Sequence, residues 1–183
     1  MKYEFLEEGT ISISTFVSTP WLSNHQDADL ARNLATEIVK YIADLHGMEK
    51  SAFQKRKDHL FQILDMHSFA DRRISRLSTG MKQKTSIART IIHNPQVMVF
   101  DEPTSGLDVM TSRAIVNLIH SCRDEGKTVI FSTHRMGEVN QVCDDIAIIY
   151  KGRLFFNDTL DQFKSEMTQS TFEEEFIYRV GEA

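Results

Sequence analysis

The fold is readable from residues 97–134, which run VMVFDEPTSGLDVMTSRAIVNLIHSCRDEGKTVIFSTH. Four apolar residues open this stretch, and apolar residues at helical spacing follow between Ile115 and Cys122. The run Thr128–Ser132 then has the pattern of a second buried strand. Strands that alternate with helices predict a parallel sheet covered on both faces, and the alternation continues to an apolar run at residues 147–150.

Gly126, Lys127 and Thr128 look like the end of a phosphate-binding loop, whose pattern is G-x-x-x-x-G-K-[ST]. That loop requires a glycine where this chain has Ser121, and it leads from a strand into a helix so that the N-terminus of the helix faces the anion. The order here is the reverse, because a helical pattern precedes Gly126 and a strand follows it. We therefore predict that Gly126 ends a helix.

The rest of the chain divides into segments with different patterns. Ile11, Ile13 and Phe16 indicate one strand near the beginning, and two amphipathic helices follow with a break at His46-Gly47. The predicted organisation is a remnant strand in residues 1–23, a helical subdomain in residues 24–80, an α/β core in residues 81–150, and a hairpin with two helices in residues 151–183.

The composition limits the classes of partner and compartment. The chain has 21 Lys and Arg against 26 Asp and Glu, a formal net charge of −5, which argues against a nucleic-acid partner. No apolar run approaches the roughly 20 residues that span a bilayer, and acidic residues near the beginning argue against a signal peptide. Cys122 and Cys143 lie in apolar helical patterns, so we expect reduced thiols and a cytoplasmic protein.

Polar residues follow two of the predicted strands directly. Asp101 and Glu102 come at the end of the first strand, where one carboxylate can hold Mg²⁺ through water and the other can orient or deprotonate a water. The alternative is an acidic turn stiffened by Pro103. His134 follows the second strand, where it can donate a hydrogen bond to a phosphate oxygen or serve a structural role.

Ser78, Thr79 and Gly80 lie where a helix is predicted to begin. The hydroxyl of Ser78 and the backbone beside Gly80 can approach an anion, which the positive end of the helix dipole also favours. The alternative is that Ser78 or Thr79 caps the helix, and both can hold at once.

Four motifs in this order resemble those of an ABC-type ATPase domain. LSTGM at residues 77–81 resembles the signature motif LSGGQ, with Thr79 and Met81 as departures, and VMVFDEP resembles the Walker B strand. SGLD at residues 105–108 resembles the D-loop, and His134 resembles the switch histidine. The resemblance implies an incomplete P-loop NTPase domain of the α/β class, with a mostly parallel sheet flanked by helices and a helical subdomain.

The resemblance also implies cofactors, partners and residue roles. ATP and Mg²⁺ are the implied cofactors; a transmembrane permease and a second ATP-binding subunit are the implied partners, with the chain peripheral on the inner face of the cell membrane. The implied roles are Asp101 for Mg²⁺, Glu102 for the attacking water, His134 for the terminal phosphate, and Ser78, Thr79, Gly80 and Asp108 for contacts to nucleotide and across the subunit pair.

The phosphate loop of the family does not occur in these 183 residues, and Gln26 is the candidate for the family's Q-loop glutamine. We therefore expect a chain truncated before its signature half, for which unaided ATP hydrolysis is doubtful. One hypothesis is part of the ATPase subunit of a bacterial sodium- or drug-efflux exporter, a type that the LSTGM form and the tail TFEEEFIYRVGE resemble. The alternatives are a non-catalytic module that donates its signature motif in trans, and a gene fragment without function.

Overall fold

The computed structural model describes the backbone of residues 16–17 and the whole of residues 34–181, and it divides into two compact units after Ser132. The first unit contains a parallel sheet of strand order β1-β2-β3, where β1 is Phe16–Val17, β2 is Val97–Asp101 and β3 is Thr128–Ser132. The expected parallel pairing is confirmed, with Asp101 opposite Ser132. Ile11, Ile13 and Gln26 lie outside the described residues.

Four α-helices of the first unit follow the apolar periodicity of the sequence. They are α1 (Ala35–Leu45), α2 (Lys50–Ile63), α3 (Thr79–Ile91) and α4 (Val109–Asp124), with a 3₁₀ turn at Ile74–Arg76. The predicted break is confirmed by Gly47, whose φ is +66°. Helix α3 begins at Thr79, within the segment where a helix start is predicted, and Ser78 is its N-cap.

The core of the first unit lies between these helices and one face of β2. Met98 and Phe100 alternate with half-buried neighbours along that strand and are almost fully buried. Strand β3 differs from the prediction, since it is not buried on both faces: Ile130 is 46% exposed, and the strand alternates between exposed and half-buried residues. Its position after β2 at the end of the described strand order explains this exposure.

The stretch with the sequence Gly126-Lys127-Thr128 is a helix end. Gly126 has a φ of +72°, a conformation that glycine adopts at little cost, and its N–H donates to the Arg123 carbonyl at 2.8 Å. The Lys127 N–H donates to the Cys122 carbonyl at 3.1 Å. These two bonds close the last turn of α4, so the prediction of a helix C-terminus is confirmed.

A charged network joins α2 to this helix end. The Glu125 carboxylate contacts Lys127 Nζ at 2.5 Å and Arg56 Nη1 at 3.3 Å, and Lys127 also donates to Asn94. Burial raises the pKa of the Glu125 carboxyl, but the hydrogen bond from Lys127 and the charge of Arg56 outweigh it and lower the pKa from 4.5 to about 2. The network therefore holds α2 against the turn before β3.

The second unit is a hairpin covered by short helices. It contains α5 (Met136–Val142), β4 (Asp145–Tyr150), β5 (Arg153–Thr159), α6 (Leu160–Glu166) and α7 (Phe172–Gly181). The predicted hairpin turn and both tail helices are confirmed, with positive φ angles at Lys151 and Gly152. Strand β4 is not the parallel strand that the alternation predicts, because it pairs antiparallel with β5. Helix α5 has Cys143 as its C-cap, a residue that the sequence places in an apolar helical pattern without giving bounds for the helix.

The second unit has its own apolar core, formed by Val139, Ile146, Ile148, Leu160 and Phe163. Across the two units, Cys122 is buried, Cys143 is half-buried, and both are free thiols, as the sequence predicts. Within residues 34–181, none of the helices has the length and apolar character needed to cross a membrane.

Candidate functional site

The carboxyl ends of β2 and β3 are joined by one serine hydroxyl. Ser132 Oγ donates to Asp101 Oδ1 at 2.7 Å and accepts from the Glu102 N–H at 3.0 Å, and the Ser132 carbonyl accepts from the same N–H at 3.2 Å. The parallel register places Asp101 and Ser132 opposite each other, which brings these groups together. The two acidic residues that the sequence predicts are therefore exposed neighbours at the carboxyl ends of the strands.

The backbone of Glu102 turns sharply where the strand ends. Its φ is +42°, in the left-handed region that costs a residue with a Cβ about 1 kcal/mol or more. The double hydrogen bond from its N–H to Ser132 holds this conformation, and Ser105 N–H donates to the Glu102 carbonyl at 3.1 Å to close a turn. The turn keeps the side chain of Glu102 exposed beside Asp101.

The signature-like segment forms the N-terminus of α3. Ser78 is the N-cap, and its Oγ accepts from the Met81 N–H at 3.3 Å, so the capping interpretation is confirmed. The N–H groups of Thr79 and Gly80 have no hydrogen-bond acceptor within residues 34–181. Unsatisfied N–H groups in a first helical turn attract anions, so capping and anion binding are compatible here.

Gly80 lies directly against α4. A Cβ built on Gly80 would come 2.9 Å from Thr111 Oγ1, which forces one of the two to shift, and 3.2 Å from Thr111 Cγ2, which is tighter than most real Cβ contacts. Thr111 also binds Asp108, the N-cap of α4, through its N–H at 2.9 Å and its hydroxyl at 2.8 Å. The starts of the two helices are thus packed together, and the lack of a side chain at Gly80 permits that packing.

Asp108 is held as a carboxylate by the start of its own helix. The hydrogen bonds from the Thr111 N–H and hydroxyl lower the pKa of the Asp108 carboxyl. The next two residues, Val109 and Met110, are 77% and 74% exposed. The first turn of α4 therefore presents one charged and two apolar side chains on the surface of the first unit.

A buried glutamine connects α3 to the strand-end turn. Gln83 is 8% exposed, and its Nε2 donates to the Pro103 carbonyl at 3.3 Å. This bond places the helix that begins at Ser78 beside the turn that follows Glu102. Of the predicted residues, the structure thus gathers Ser78, Gly80, Asp101, Glu102 and Asp108 on neighbouring elements of the first unit.

His134 belongs to the second unit, in the turn before α5. It is exposed, and its neighbours are ordered by Thr133, whose hydroxyl donates to Glu138 Oε2 at 3.0 Å and accepts from the Arg135 N–H at 3.0 Å. The predicted contact between His134 and a phosphate stays a prediction.

Three residues of the site are missing from the sequence predictions, namely Ser132, Thr111 and Gln83. Ser132 stands in the quoted motif FSTH, and its importance follows once the register opposite Asp101 is known. Thr111 stands three residues after an N-cap aspartate, a spacing that predicts the bond to Asp108 but not the contact with Gly80.

The oxygen donors at the strand ends fit a hydrated Mg²⁺ ion. Asp101 is exposed, and one of its carboxylate oxygens is occupied by the Ser132 hydroxyl while Oδ2 accepts no hydrogen bond from residues 34–181. A single free carboxylate oxygen suits Mg²⁺, which keeps most of its waters. No cluster of three or more His, Cys, Asp or Glu side chains with metal-binding geometry occurs in the described part of the chain.

The contact between Gly80 and Thr111 predicts that Gly80→Ala lowers the free energy of unfolding by about 1 to 3 kcal/mol, the usual cost of overpacking. The measurement is chemical denaturation of both proteins. Gly137→Ala is the matched control, since a Cβ there meets nothing within 4 Å and Gly137 lies in α5, where alanine is preferred. Equal stability of the two variants, or no smaller loss when Gly80→Ala is made in a Thr111→Ala background, would contradict the proposed contact.

Comparison with known proteins agrees with this geometry. The sequence pattern of the ABC transporter family matches residues 6–105, which include the signature-like segment and the Asp101–Glu102 pair. A solved structure titled "Structure of ATP binding subunit of ABC transporter" superposes with a TM-score of 0.75 at 21% identity and covers 91% of this chain and 68% of its own. That likeness shows the fold.

Several curated proteins are similar over most of the chain. ABC transporter ATP-binding protein NatA of Bacillus subtilis is 34% identical over 139 residues, which are 75% of this chain and 56% of NatA. The probable multidrug ABC transporter ATP-binding protein YbhF of Escherichia coli is 30% identical over 158 residues, 83% of this chain and 27% of YbhF. The methionine import ATP-binding protein MetN 2 of Bacillus thuringiensis is 32% identical over 137 residues, 74% of this chain and 40% of MetN 2.

The chain spans about half the length of the curated relatives it matches, or less. The expected α/β fold of the P-loop NTPase type is confirmed by the solved relative, and the expected family by the match over more than half of the residues. With its signature-like helix start, its strand-end carboxylates and its matched sequence pattern, the chain belongs to the ABC transporter family.

Proposed function

We propose that this chain is part of the ATP-binding subunit of an ABC transporter and takes part in the ATP hydrolysis that drives transport. The observation that carries the proposal is the exposed carboxylate pair Asp101 and Glu102, held at the carboxyl ends of two parallel strands by Ser132. Ligands of open α/β sheets bind beyond those strand ends. The match of the family pattern to residues 6–105 supports assigning this pair to nucleotide chemistry.

In this proposal the two carboxylates have different roles. Asp101, with one oxygen fixed by Ser132, holds Mg²⁺ through water. Glu102, exposed beside it, orients the attacking water and accepts its proton. When bound, Mg²⁺ neutralises charge on the phosphates of ATP, and those phosphates supply the group that is transferred.

The start of α3 has a separate role toward a second subunit. The free N–H groups of Thr79 and Gly80 and the Ser78 hydroxyl close over the phosphates of ATP held by the partner, which supplies the phosphate loop. Asp108 and the exposed Val109 and Met110 on the neighbouring helix start lie at the junction between the two subunits. His134 contacts the terminal phosphate, a role that rests on the resemblance alone.

The further partner is a transmembrane permease, with the chain peripheral on the cytoplasmic face of the membrane. The similarity to the multidrug protein YbhF supports transport out of the cell. The similarity to the methionine import protein MetN 2 leaves import as the alternative. No nucleic acid is needed, consistent with the net charge of −5.

Ser78→Arg tests the proposal in the transporter complex isolated from the native cells. A large cation in the first turn of α3 blocks the approach of phosphate to the Thr79 and Gly80 N–H groups, so we expect ATP turnover to fall about 100-fold. Ser51→Arg is the matched control, since Ser51 is also an exposed serine in the first turn of a helix. A complex that hydrolyses ATP equally fast with either substitution would contradict the assignment of the α3 start.

A second candidate function is signature donation without catalysis, in which the chain completes the site of a partner but hydrolyses no ATP at its own carboxylates. It is favoured by the N–H groups at the start of α3, which find no acceptor within residues 34–181, together with the lack of a phosphate loop in these 183 residues. Under this alternative Ser78→Arg slows turnover while changes at Glu102 do not.

A further inference from the structure

A cleft in the first unit is lined by basic side chains for which residues 34–181 supply no ion-pair partner. Leu34, Asp71, Arg72, Arg73 and Arg76 surround a volume of about 570 Å³. Backbone pairing shapes the cleft: Leu34 and Arg73 form an antiparallel bridge, and the Ala35 N–H donates to the Arg72 carbonyl at 3.1 Å. The walls are therefore fixed by the backbone, while the side chains of the arginines are exposed to solvent.

The three arginines of the cleft differ in their ion pairs from three arginines elsewhere in the chain. Arg56, Arg135 and Arg179 each pair with a glutamate, at 3.3, 3.0 and 2.7 Å. Within the described ranges, no carboxylate lies within ion-pair distance of the guanidinium groups in the cleft, although Asp71 is on its rim. Among the described residues that line the cleft, three positive charges against one negative charge give a net charge of about +2, on a protein whose net charge is −5.

We propose that this cleft, which we name the arginine cleft, docks an acidic segment of a partner protein. Guanidinium groups bind carboxylates in a planar two-pronged geometry, and three of them within five residues suit a segment with two or more glutamates or aspartates. Leu34 adds an apolar wall for an aliphatic side chain between those carboxylates. A concave site selects a short segment, whereas a membrane surface or a nucleic acid needs a wider basic face than the described lining of this cleft provides.

The position of the arginine cleft links docking to the proposed nucleotide contacts. Arg76 ends the 3₁₀ turn, Leu77 is buried with 6% exposure, and Ser78 then caps α3. A partner bound at the cleft is therefore two residues from the helix start that we assign to phosphate. Docking itself does not depend on that assignment, since it rests on the charges and shape of the cleft.

The test measures binding of labelled peptides to the full chain by fluorescence anisotropy. The probes are eight-residue peptides of leucine and alanine with two, three or four glutamates, and matched peptides with glutamine at the same positions. We expect affinity to rise with the number of glutamates and to fall at least about tenfold in the triple variant Arg72→Gln, Arg73→Gln, Arg76→Gln. Thermal unfolding by circular dichroism verifies that the variant is folded.

The matched control is a second triple variant, Lys55→Gln, Arg113→Gln, Arg153→Gln, which removes the same charge from exposed sites elsewhere. It should bind the glutamate peptides as the unchanged protein does. Equal weakening in both triple variants would mean that only net charge matters and would overturn the proposal. So would the absence of glutamate-dependent binding, or tighter binding to phosphatidylserine vesicles than to any peptide with the same dependence on the cleft arginines. This test does not measure ATP turnover. If the proposed function in ATP hydrolysis proved wrong, the peptide-binding test would still apply.

Discussion

Replacing Glu102 with glutamine is expected to slow ATP turnover by the assembled transporter about 100-fold or more, the usual contribution of a general base. Glutamine has nearly the same shape, and the backbone N–H of residue 102 still donates to Ser132, so the turn and nucleotide binding should persist. The measurement compares steady-state hydrolysis with binding of a fluorescent ATP analogue in the same preparation. Glu37→Gln, at an exposed glutamate in α1, is the control for isosteric change.

The same measurement separates the two candidate functions. If Ser78→Arg abolishes turnover while Glu102→Gln leaves it unchanged, the chain donates its signature motif and its own carboxylates are idle. If both substitutions slow turnover, the carboxylates are catalytic. If neither does, the proposed function is wrong in both forms, whereas peptide docking at the arginine cleft could still hold.

The second large effect is expected at Glu175, a buried carboxylate of the second unit. Glu175 is 1% exposed, and its oxygens accept from the Thr168 and Gln169 N–H groups at 2.7 and 3.0 Å and from Arg179 Nε at 2.7 Å. Removing it leaves the two N–H groups without their acceptor and takes from Arg179 its shortest carboxylate contact, so that among the described residues the guanidinium keeps only Glu166, at 3.4 Å. Glu175→Ala should therefore lower the free energy of unfolding by roughly 3 to 5 kcal/mol, as for other broken buried ion pairs.

The contacts of Glu175 should also make the stability of the protein depend on pH in the acid range. The hydrogen bond from Arg179 and those from Thr168 and Gln169 outweigh burial and lower the pKa of the Glu175 carboxyl from 4.5 to about 2. A lowered pKa means that the stabilisation is present above pH 4.5 and is lost as the pH falls toward 2. In Glu175→Ala this part of the pH dependence should disappear.

Thermal unfolding and hydrogen exchange of the α7 amides measure both effects. Glu173→Ala is the control, since Glu173 is an exposed neighbour in the first turn of the same helix and should change stability by no more than about 0.5 kcal/mol. Glu175→Ala with the stability and pH profile of Glu173→Ala would show that the buried contacts contribute nothing.

The spacing of apolar residues was sufficient to predict those helices and strands that contain many of them. The predicted bounds of β3 and the predicted end of α4 agree with the structure, because Ile115, Leu118, Ile119 and Cys122 mark one helix face and Gly126 ends the helix. The bounds of helix α5 were not predicted, because its seven residues carry too few apolar positions to define a period. The direction of β4 was wrong because pairing with β5 across the Lys151-Gly152 turn, not apolar content, determines it.

The acidic residues of the site and the Ser78 hydroxyl were predictable from the sequence, whereas the hydroxyls of Ser132 and Thr111 were not. Asp101 and Glu102 follow four apolar residues, so the strand end marks them. Ser132 and Thr111 gain their roles from partners about 30 residues away, through strand register and helix packing that no local pattern encodes. For the same reason the sequence suggested anion approach at Gly80, while the structure adds a steric reason for glycine there.

The left-handed backbone at Glu102 has a consequence for protein engineering. Among the described residues with positive φ, Asp65 and Asn94 are of types that adopt this conformation readily, and Lys151 lies in a hairpin turn, whereas Glu102 stands beside the predicted Mg²⁺ ligand. Glycine at position 102 would relieve about 1 kcal/mol of backbone strain. Selection for heat resistance alone would therefore favour removing the glutamate, so a stabilised variant of this protein has to be screened for turnover at every round.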